Sequence, residues 1–296
     1  MSHSNNRDKI IMATAMLIFG SMGIFISNIT FPSSMISLIR AFIGSLLIGI
    51  YAVVGGHRFD KTAILKNLKL LVPSGIIMAF NWICLFEAYK YTGVAVATLC
   101  YYMAPVIVVL ASPIFLKERL TAVKGVSVAV AVVGAVLISG AVNGAAVSVK
   151  GILLGLAAAG LYGSIVIINK FVKGLSSIET TFVQLLTAGI SMIPYVLLTE
   201  DIGSIDFNGK SVVLMLIVGA VHTGIAYVMY FASMQKISAQ TTAVFSYIDP
   251  VTAIIFSSLF LKESLDAIQI TGTVLILSAT LFNELAPIIF KRKCGE

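Results

Sequence analysis

Apolar stretches of about 20 residues, the length that a helix needs to cross a bilayer, follow one another along the whole chain. Short polar loops separate ten such windows, at about 9–28, 33–54, 68–88, 94–116, 122–140, 150–172, 178–198, 211–235, 239–261 and 266–288. Hydrophobic residues make up 58% of the 296 residues and charged residues 11%, which is more apolar surface than a soluble protein of this size can bury. The sequence therefore predicts an all-α integral membrane protein with ten transmembrane helices.

The basic residues are distributed unevenly between the loops. If the N-terminus is inside the cell, the outer loops hold only four of the 20 lysines and arginines, namely Lys90, Lys150, Lys210 and Lys262. Arg40 lies within a span, and the others fall on the inside, as the positive-inside rule requires. We therefore expect a multi-pass protein of the cell membrane with both termini cytoplasmic. The net charge of +7 then reflects topology, and no nucleic-acid partner is predicted.

Two segments of the chain repeat each other at a distance of 145 residues. The identical pairs include Tyr102 and Tyr247, Pro105 and Pro250, Lys117 and Lys262, and Glu118 and Glu263. The chain therefore divides into two five-span repeats, a first half at 9–140 and a second half at 150–288. Because five is odd, the second half enters the membrane from the opposite side, as in the inverted repeats of secondary transporters. Two such halves can exchange inward-open and outward-open shapes around a site between them.

The repeated prolines lie near the middle of the fourth and ninth spans. A proline lacks an amide donor and leaves the carbonyl four residues earlier without its helical partner. The carbonyls concerned belong to Tyr101 and Ser246. Pro105 and Pro250 are therefore predicted to kink their helices, and two interpretations of the freed carbonyls stay open. They contribute to a polar cavity, or the kinks serve packing alone.

The two repeated segments resemble those of a known protein family. The chain resembles the EamA-type members of the drug/metabolite transporter superfamily through "YMAPVIVVLASPIFLKE" and "YIDPVTAIIFSSLFLKE", together with its ten spans and two halves. The resemblance implies a central cavity lined by spans 1–4 and 6–9, peripheral fifth and tenth spans, and transport of small organic metabolites. Lys117 and Lys262 occupy a position where glycine is more common in the family.

Three ionisable side chains lie within predicted spans, where charge is costly and needs a reason. Arg40 is a candidate for binding a substrate carboxylate, or else for a structural pair with a carboxylate such as Asp249. Asp249 matches Ala104 in the first half, so the repeat loses its charge there. Asp249 is a candidate for binding a substrate amine or a coupled proton. The alternative is a paired carboxylate with a structural role. His222 is a candidate for proton coupling, against a hydrogen-bonded core histidine.

Polar and aromatic side chains within the spans complete the predicted solute site. Such residues suit a pocket for a flat or amphipathic ligand, although packing and the water interface are alternatives for each. The predicted substrate-binding residues are Arg40, Asn81, Trp82, Tyr102, Tyr227, Tyr247 and Asp249, with Tyr162 and Tyr230 as further aromatic candidates. Glu118 and Glu263 are predicted to fix helix ends and loops, or to act in gating.

The chemistry of an enzyme is not predicted. The three histidines and three cysteines show no metal-ligand or disulfide spacing, and neither a cofactor nor a metal is expected. The sequence instead predicts a secondary transporter, with export of an amino acid or related solute as the favoured activity. A passive facilitator or channel-like permease is the alternative, ahead of an integral membrane enzyme. The expected partners are a small-molecule solute and the lipid bilayer, and a homodimer stays open.

Overall fold

The computed structural model describes residues 2–117, 120–139 and 148–293, and every regular element in these ranges is helical. The α-helices are α1 (Ser2–Ser27), α2 (Ser33–Val54), α3 (Lys61–Tyr101), α4 (Ala104–Phe115), α5 (Ala122–Ile138), α6 (Val149–Asn169), α7 (Ser177–Thr199), α8 (Gly209–Ile217), α9 (Ala226–Met234), α10 (Ala239–Ser246), α11 (Ile248–Leu261) and α12 (Ala267–Lys293). A π-helical stretch, Val218–Ile225, joins α8 to α9 and is called the π segment. A 3₁₀ turn covers Ile202–Ser204. Glu118 and the predicted boundary at residue 140 lie outside the described residues.

Seven helical segments in the described ranges are long and apolar enough to cross a membrane. They are Asn6–Ser27, Ser33–Val54, Lys61–Tyr101, Val149–Asn169, Ser177–Thr199, Gly209–Met234 and Val244–Leu261. Three shorter apolar helices are Ala104–Phe115, Lys124–Ile138 and Ala267–Asn283. Large apolar side chains such as Ile114 and Leu198 are exposed on the outside, as surfaces that face lipid require. The all-helical, multi-pass architecture is confirmed, whereas the count of ten spans and their inverted threading stay predictions.

The helix α3 is too long for one crossing of a membrane. Its 41 residues correspond to about 60 Å at 1.5 Å per residue, roughly twice the hydrocarbon thickness. Gly93, with φ 79° and ψ 171°, interrupts the helical backbone. The chain before Gly93 therefore covers the predicted third span, and the stretch Val94–Tyr101 begins the fourth.

The fourth and ninth predicted spans both break next to their prolines. The first break lies at Tyr102 and Met103, between α3 and α4, and Pro105 follows in the first turn of α4. The second lies at Tyr247, between α10 and α11, and Pro250 follows in the first turn of α11. A proline is compatible with the first turn of a helix, because the N–H it lacks has no partner within the helix there. Each proline thus belongs to the start of a new helix.

Both repeated lysines adopt the left-handed backbone region. Lys117 has φ 56° and Lys262 has φ 58°, and no other non-glycine residue of the described chain has a positive φ. The left-handed region costs an L-residue with a Cβ roughly 1–2 kcal/mol. This conformation explains why glycine suits the position, as the family resemblance implies.

The helices α5 and α12 pack against each other through two glycines. A Cβ on Gly134 would lie 2.7 Å from the Gly272 carbonyl oxygen, and a Cβ on Gly272 would lie 2.6 Å from that of Gly134. The two backbones therefore approach more closely than side chains would allow. Elsewhere α3 packs on α6, α2 on α7, and α1 on α11.

Candidate functional site

The helix α2 and the π segment are in close contact, which brings Arg40 to its partners. A Cβ on Gly44 would lie 2.5 Å from the Thr223 methyl carbon, and a Cβ on Gly224 would lie 2.3 Å from the Leu47 side chain. Glycine at both positions therefore permits the approach. A π-helix turns more widely than an α-helix and occurs frequently at functional sites. Here it places His222 and Thr223 side by side in the protein interior.

Arg40 is buried in this contact, with 2% of its surface exposed. Its Nε donates a hydrogen bond to Thr223 Oγ1 at 2.6 Å, and Thr223 Oγ1 in turn donates to the Val218 carbonyl at 3.2 Å. The guanidinium carbon lies 4.1 Å from the centre of the Trp82 ring, which provides a cation–π contact. The side chain is therefore held from two sides, by a hydroxyl and by an aromatic face.

The positive charge of Arg40 has no acidic partner in the described part of the chain. No carboxylate of these residues lies within 4.0 Å of it, and its Nη1 has no hydrogen-bond partner there. Ser37, one turn earlier on α2, is also buried with an unpartnered hydroxyl. A buried charge is stable only when it is paired and hydrogen-bonded. The arrangement can therefore accept an anionic group from a ligand.

Asp249 does not pair with Arg40, the structural alternative that the sequence left open; its partner is Tyr102. Its Oδ2 accepts a hydrogen bond from the Tyr102 hydroxyl at 2.9 Å. The same hydroxyl lies 3.5 Å from the Ser246 carbonyl oxygen, one of the two carbonyls that the prolines were expected to free. The contact joins the break at Tyr102 to the break at Tyr247.

Tyrosines connect the positions of the two charged groups. Tyr101 and Tyr227 lie within electrostatic range of both Arg40 and Asp249. Ring contacts extend this aromatic group, with centroid distances of 5.4 Å from Tyr101 to Tyr162 and 6.5 Å from Tyr102 to Tyr247. Opposite charges near a shared set of aromatic rings could hold a small amphipathic solute.

The remaining predicted site residues have packing contacts. The Asn81 amide donates to the Ala158 carbonyl at 2.6 Å and links α3 to α6. His222 Nε2 lies 3.0 Å from Ser21 Oγ, and its ring centre lies 4.7 Å from that of Phe25. Tyr230 contacts Phe19 and Phe231. Roles of Asn81 and His222 in transport stay predictions.

A cavity of about 400 Å³ begins at the break before α4. Its lining includes Pro105, Tyr162, Lys124 and Lys170. Both lysines lie on the side that the charge distribution predicts to be cytoplasmic. In the described residues no group of three or more histidine, cysteine or acidic side chains could hold a metal ion.

Comparison with known proteins assigns the family. The sequence profile of the EamA-like transporter family matches residues 9–140 and 149–284. The chain belongs to the EamA-like transporter family. It is a membrane transporter and not an enzyme.

Related proteins are similar over most of their length. An uncharacterized transporter of Bacillus subtilis, YxxF, is 29% identical over 270 residues, which cover 90% of this chain and 85% of the relative. The pseudopaline exporter CntI of Pseudomonas aeruginosa is 28% identical over 255 residues, with 86% and 87% covered. The protein PecM of Dickeya dadantii is 25% identical over 261 residues, with 86% of each covered. A crystal structure with 18% identity has a TM-score of 0.63 and covers 98% of this chain and 99% of its own, which supports the fold.

Three features of this EamA-like transporter were missed from sequence. Hydropathy gave no sign of the π segment, of Ser37, or of the bond between Ser21 and His222. The spacing of five residues between Gly219 and Gly224 is no signal of the π segment, because Gly44 and Gly49 have the same spacing within the α-helix α2.

Proposed function

We propose that the protein is a secondary transporter that exports a small organic solute with an acid group, such as an amino acid or related zwitterion. The buried guanidinium of Arg40, with Nη1 unpartnered in the described chain, carries this proposal. Arg40 binds the solute's carboxylate, and Asp249 faces its amine. Support for export comes from CntI, a relative named as the exporter of pseudopaline.

The proposed mechanism is alternating access between two inverted halves of five spans each, 9–140 and 150–288. The two family matches, 9–140 and 149–284, support two repeated units. Contacts between helix ends and loops also agree with the proposed threading. Three contacts join ends and loops assigned to the outside, namely Ser33 with Glu87, Ser34 with Glu200, and Tyr91 with Lys150. Two contacts join segments assigned to the inside, namely Asp60 with Glu179 and Asp8 with Lys236.

Asp249 is the proposed site of proton coupling. It is the acidic group nearest the breaks, and its hydrogen bond to Tyr102 joins the two halves. Binding and release of a proton there would change the contact between the halves and the charge that the solute meets. His222 is a second candidate, because it joins α1 to the π segment through Ser21.

Counterflow in liposomes tests the proposed function. Purified protein is screened by thermal shift against a metabolite library, and each stabilising solute is then loaded into proteoliposomes. We expect saturable uptake of labelled solute that depends on unlabelled solute inside and responds to an imposed pH gradient. Flux that rises linearly with solute concentration and shows no counterflow would instead support a passive facilitator.

A further inference from the structure

A carboxylate of the second half caps a helix of the first half at the predicted outer face. Glu263 follows α11, and its two oxygens accept hydrogen bonds from the backbone N–H groups of Val94 at 2.8 Å and Ala95 at 3.0 Å. These N–H groups begin the helical stretch after Gly93, so they have no partner within that helix. The carboxylate also faces the positive end of the helix dipole. Two charge-assisted hydrogen bonds therefore join the halves at this point.

The backbone on both sides of this contact is adapted to it. Gly93 has φ 79°, and a Cβ there would lie 2.6 Å from Glu263 Oε1. Glycine is therefore required both for the turn and for the approach of the carboxylate. On the other side, Lys262 in the left-handed region ends α11, and the Glu263 N–H donates to the Ser257 carbonyl at 3.3 Å.

The corresponding helix of the second half has a cap of its own, and Glu118, the counterpart of Glu263 in the repeat, lies outside the described residues. The residue 145 positions after Gly93 is Ser238, which precedes α10. Its own hydroxyl accepts a hydrogen bond from the Thr241 N–H at 3.2 Å. The helix α10 thus carries its cap in its own sequence, whereas the helix at Val94 takes its cap from the other half. Separation of the halves would uncap the helix at Val94 and leave the cap of α10 in place.

We propose that Glu263 is a latch that holds the outer side of the transporter closed. Its carboxylate releases the backbone of Val94 and Ala95 when the solute site opens to the outside. The inference rests on the alternating access proposed above. Outward opening moves the second half away from the first at the outer face, so the bonds of Glu263 to Val94 and Ala95 must break. A cavity of about 240 Å³, lined by Glu263, Thr92 and Gln269 among others, gives water room to solvate the released carboxylate.

Two reporter cysteines measure the position of the latch. Val96→Cys lies in the lining of the cavity beside Glu263, and Val166→Cys lies in the lining of the 400 Å³ cavity on the predicted inner side. Each is placed in the full chain after replacement of Cys84, Cys100 and Cys294. A membrane-impermeant maleimide is applied to right-side-out vesicles for the first and to inside-out vesicles for the second.

Glu263→Ala is expected to raise the labelling rate at Val96→Cys about tenfold and to lower the rate at Val166→Cys several-fold, because the population moves to the outward-open shape. Glu263→Gln keeps one acceptor oxygen and should give a smaller shift in the same directions. Gly93→Ala, which keeps the carboxylate but obstructs it, should act like Glu263→Ala. Ser238→Ala is the matched control, because it removes a cap that no movement of the halves breaks, and both rates should stay within about twofold.

Two results would overturn the latch. One is an unchanged outer rate in Glu263→Ala. The other is a rise at both reporters, which indicates general loosening of the fold. Addition of a transported solute to the unsubstituted reporters tests alternating access separately, since solute should move the two rates in opposite directions. If solute does so and Glu263→Ala does not, only the latch is wrong.

Discussion

The two proline breaks have the same backbone and different chemistry. In the first half the helix stops at Tyr102 and resumes ahead of Pro105, and in the second it stops at Tyr247 and resumes ahead of Pro250. A left-handed lysine follows each of the two helices, directly after α11 and one residue further on after α4. The residue immediately before the proline, however, is Ala104 in one half and Asp249 in the other.

The other charged group of the candidate site is also found in one half only. At the offset of 143 residues that pairs Ser33 and Ser34 with Ser176 and Ser177, the counterpart of Arg40 is Val183, a buried apolar residue. The comparison teaches that the backbone at the proline breaks is kept in both halves, whereas charge is placed once. Two halves that exchange shapes need similar backbones, but a single solute bound between them needs only one set of charges.

The largest effect is expected for the charge that only the first half carries. Arg40→Gln should lower solute exchange by about 10- to 100-fold, because a charge-assisted hydrogen bond contributes about 1.5–3 kcal/mol. Arg40→Lys keeps the charge but lacks the planar guanidinium, so its rate of solute exchange should lie between those of the wild type and Arg40→Gln. Counterflow KM and the melting temperature in detergent are measured together. Wild-type exchange in Arg40→Gln would remove Arg40 from the solute site.

A second test compares the residues before the two prolines. Asp249→Asn keeps an acceptor for the Tyr102 hydroxyl but removes the charge, so we expect about a tenfold loss of exchange and no response to a pH gradient. Ala104→Ser, a small change at the matched buried position of the first half, should leave both properties close to wild type. The measurement is counterflow in liposomes at several pH gradients. Equal losses in the two variants would show that the halves do not differ in this way.

The smallest effect tests the shared backbone. Lys117→Gly and Lys262→Gly relieve the left-handed strain, and each should stabilise the protein by about 0.5–1 kcal/mol after the entropic cost of glycine is subtracted. Thermal melting of the purified variants in one detergent measures the change. A rise at one site with a fall at the other would contradict an equivalent backbone in the two halves.

Much of the fold followed from local sequence, and much of the site did not. The apolar windows predicted the helices because spanning length and hydropathy are local properties, and the repeated prolines marked both breaks. The link between Arg40 and Thr223 depends on the π segment, whose hydrogen-bond register leaves no mark in hydropathy. The cap by Glu263 joins residues far apart in the chain, so no local pattern could place Val94 beside it.

The sidedness of the junction between the halves tests the central claim most directly. Two variants carry a single cysteine each. In the first, Val149, an exposed residue at the start of α6, is changed to cysteine and all three native cysteines are replaced. In the second, Cys294 is kept, and Cys84 and Cys100 are replaced. In intact cells, a membrane-impermeant maleimide should label Val149→Cys directly, and it should label Cys294 only after the membrane is permeabilised. Labelling of both positions from the same side would contradict opposite threading of the two halves, and alternating access between them would have no structural basis.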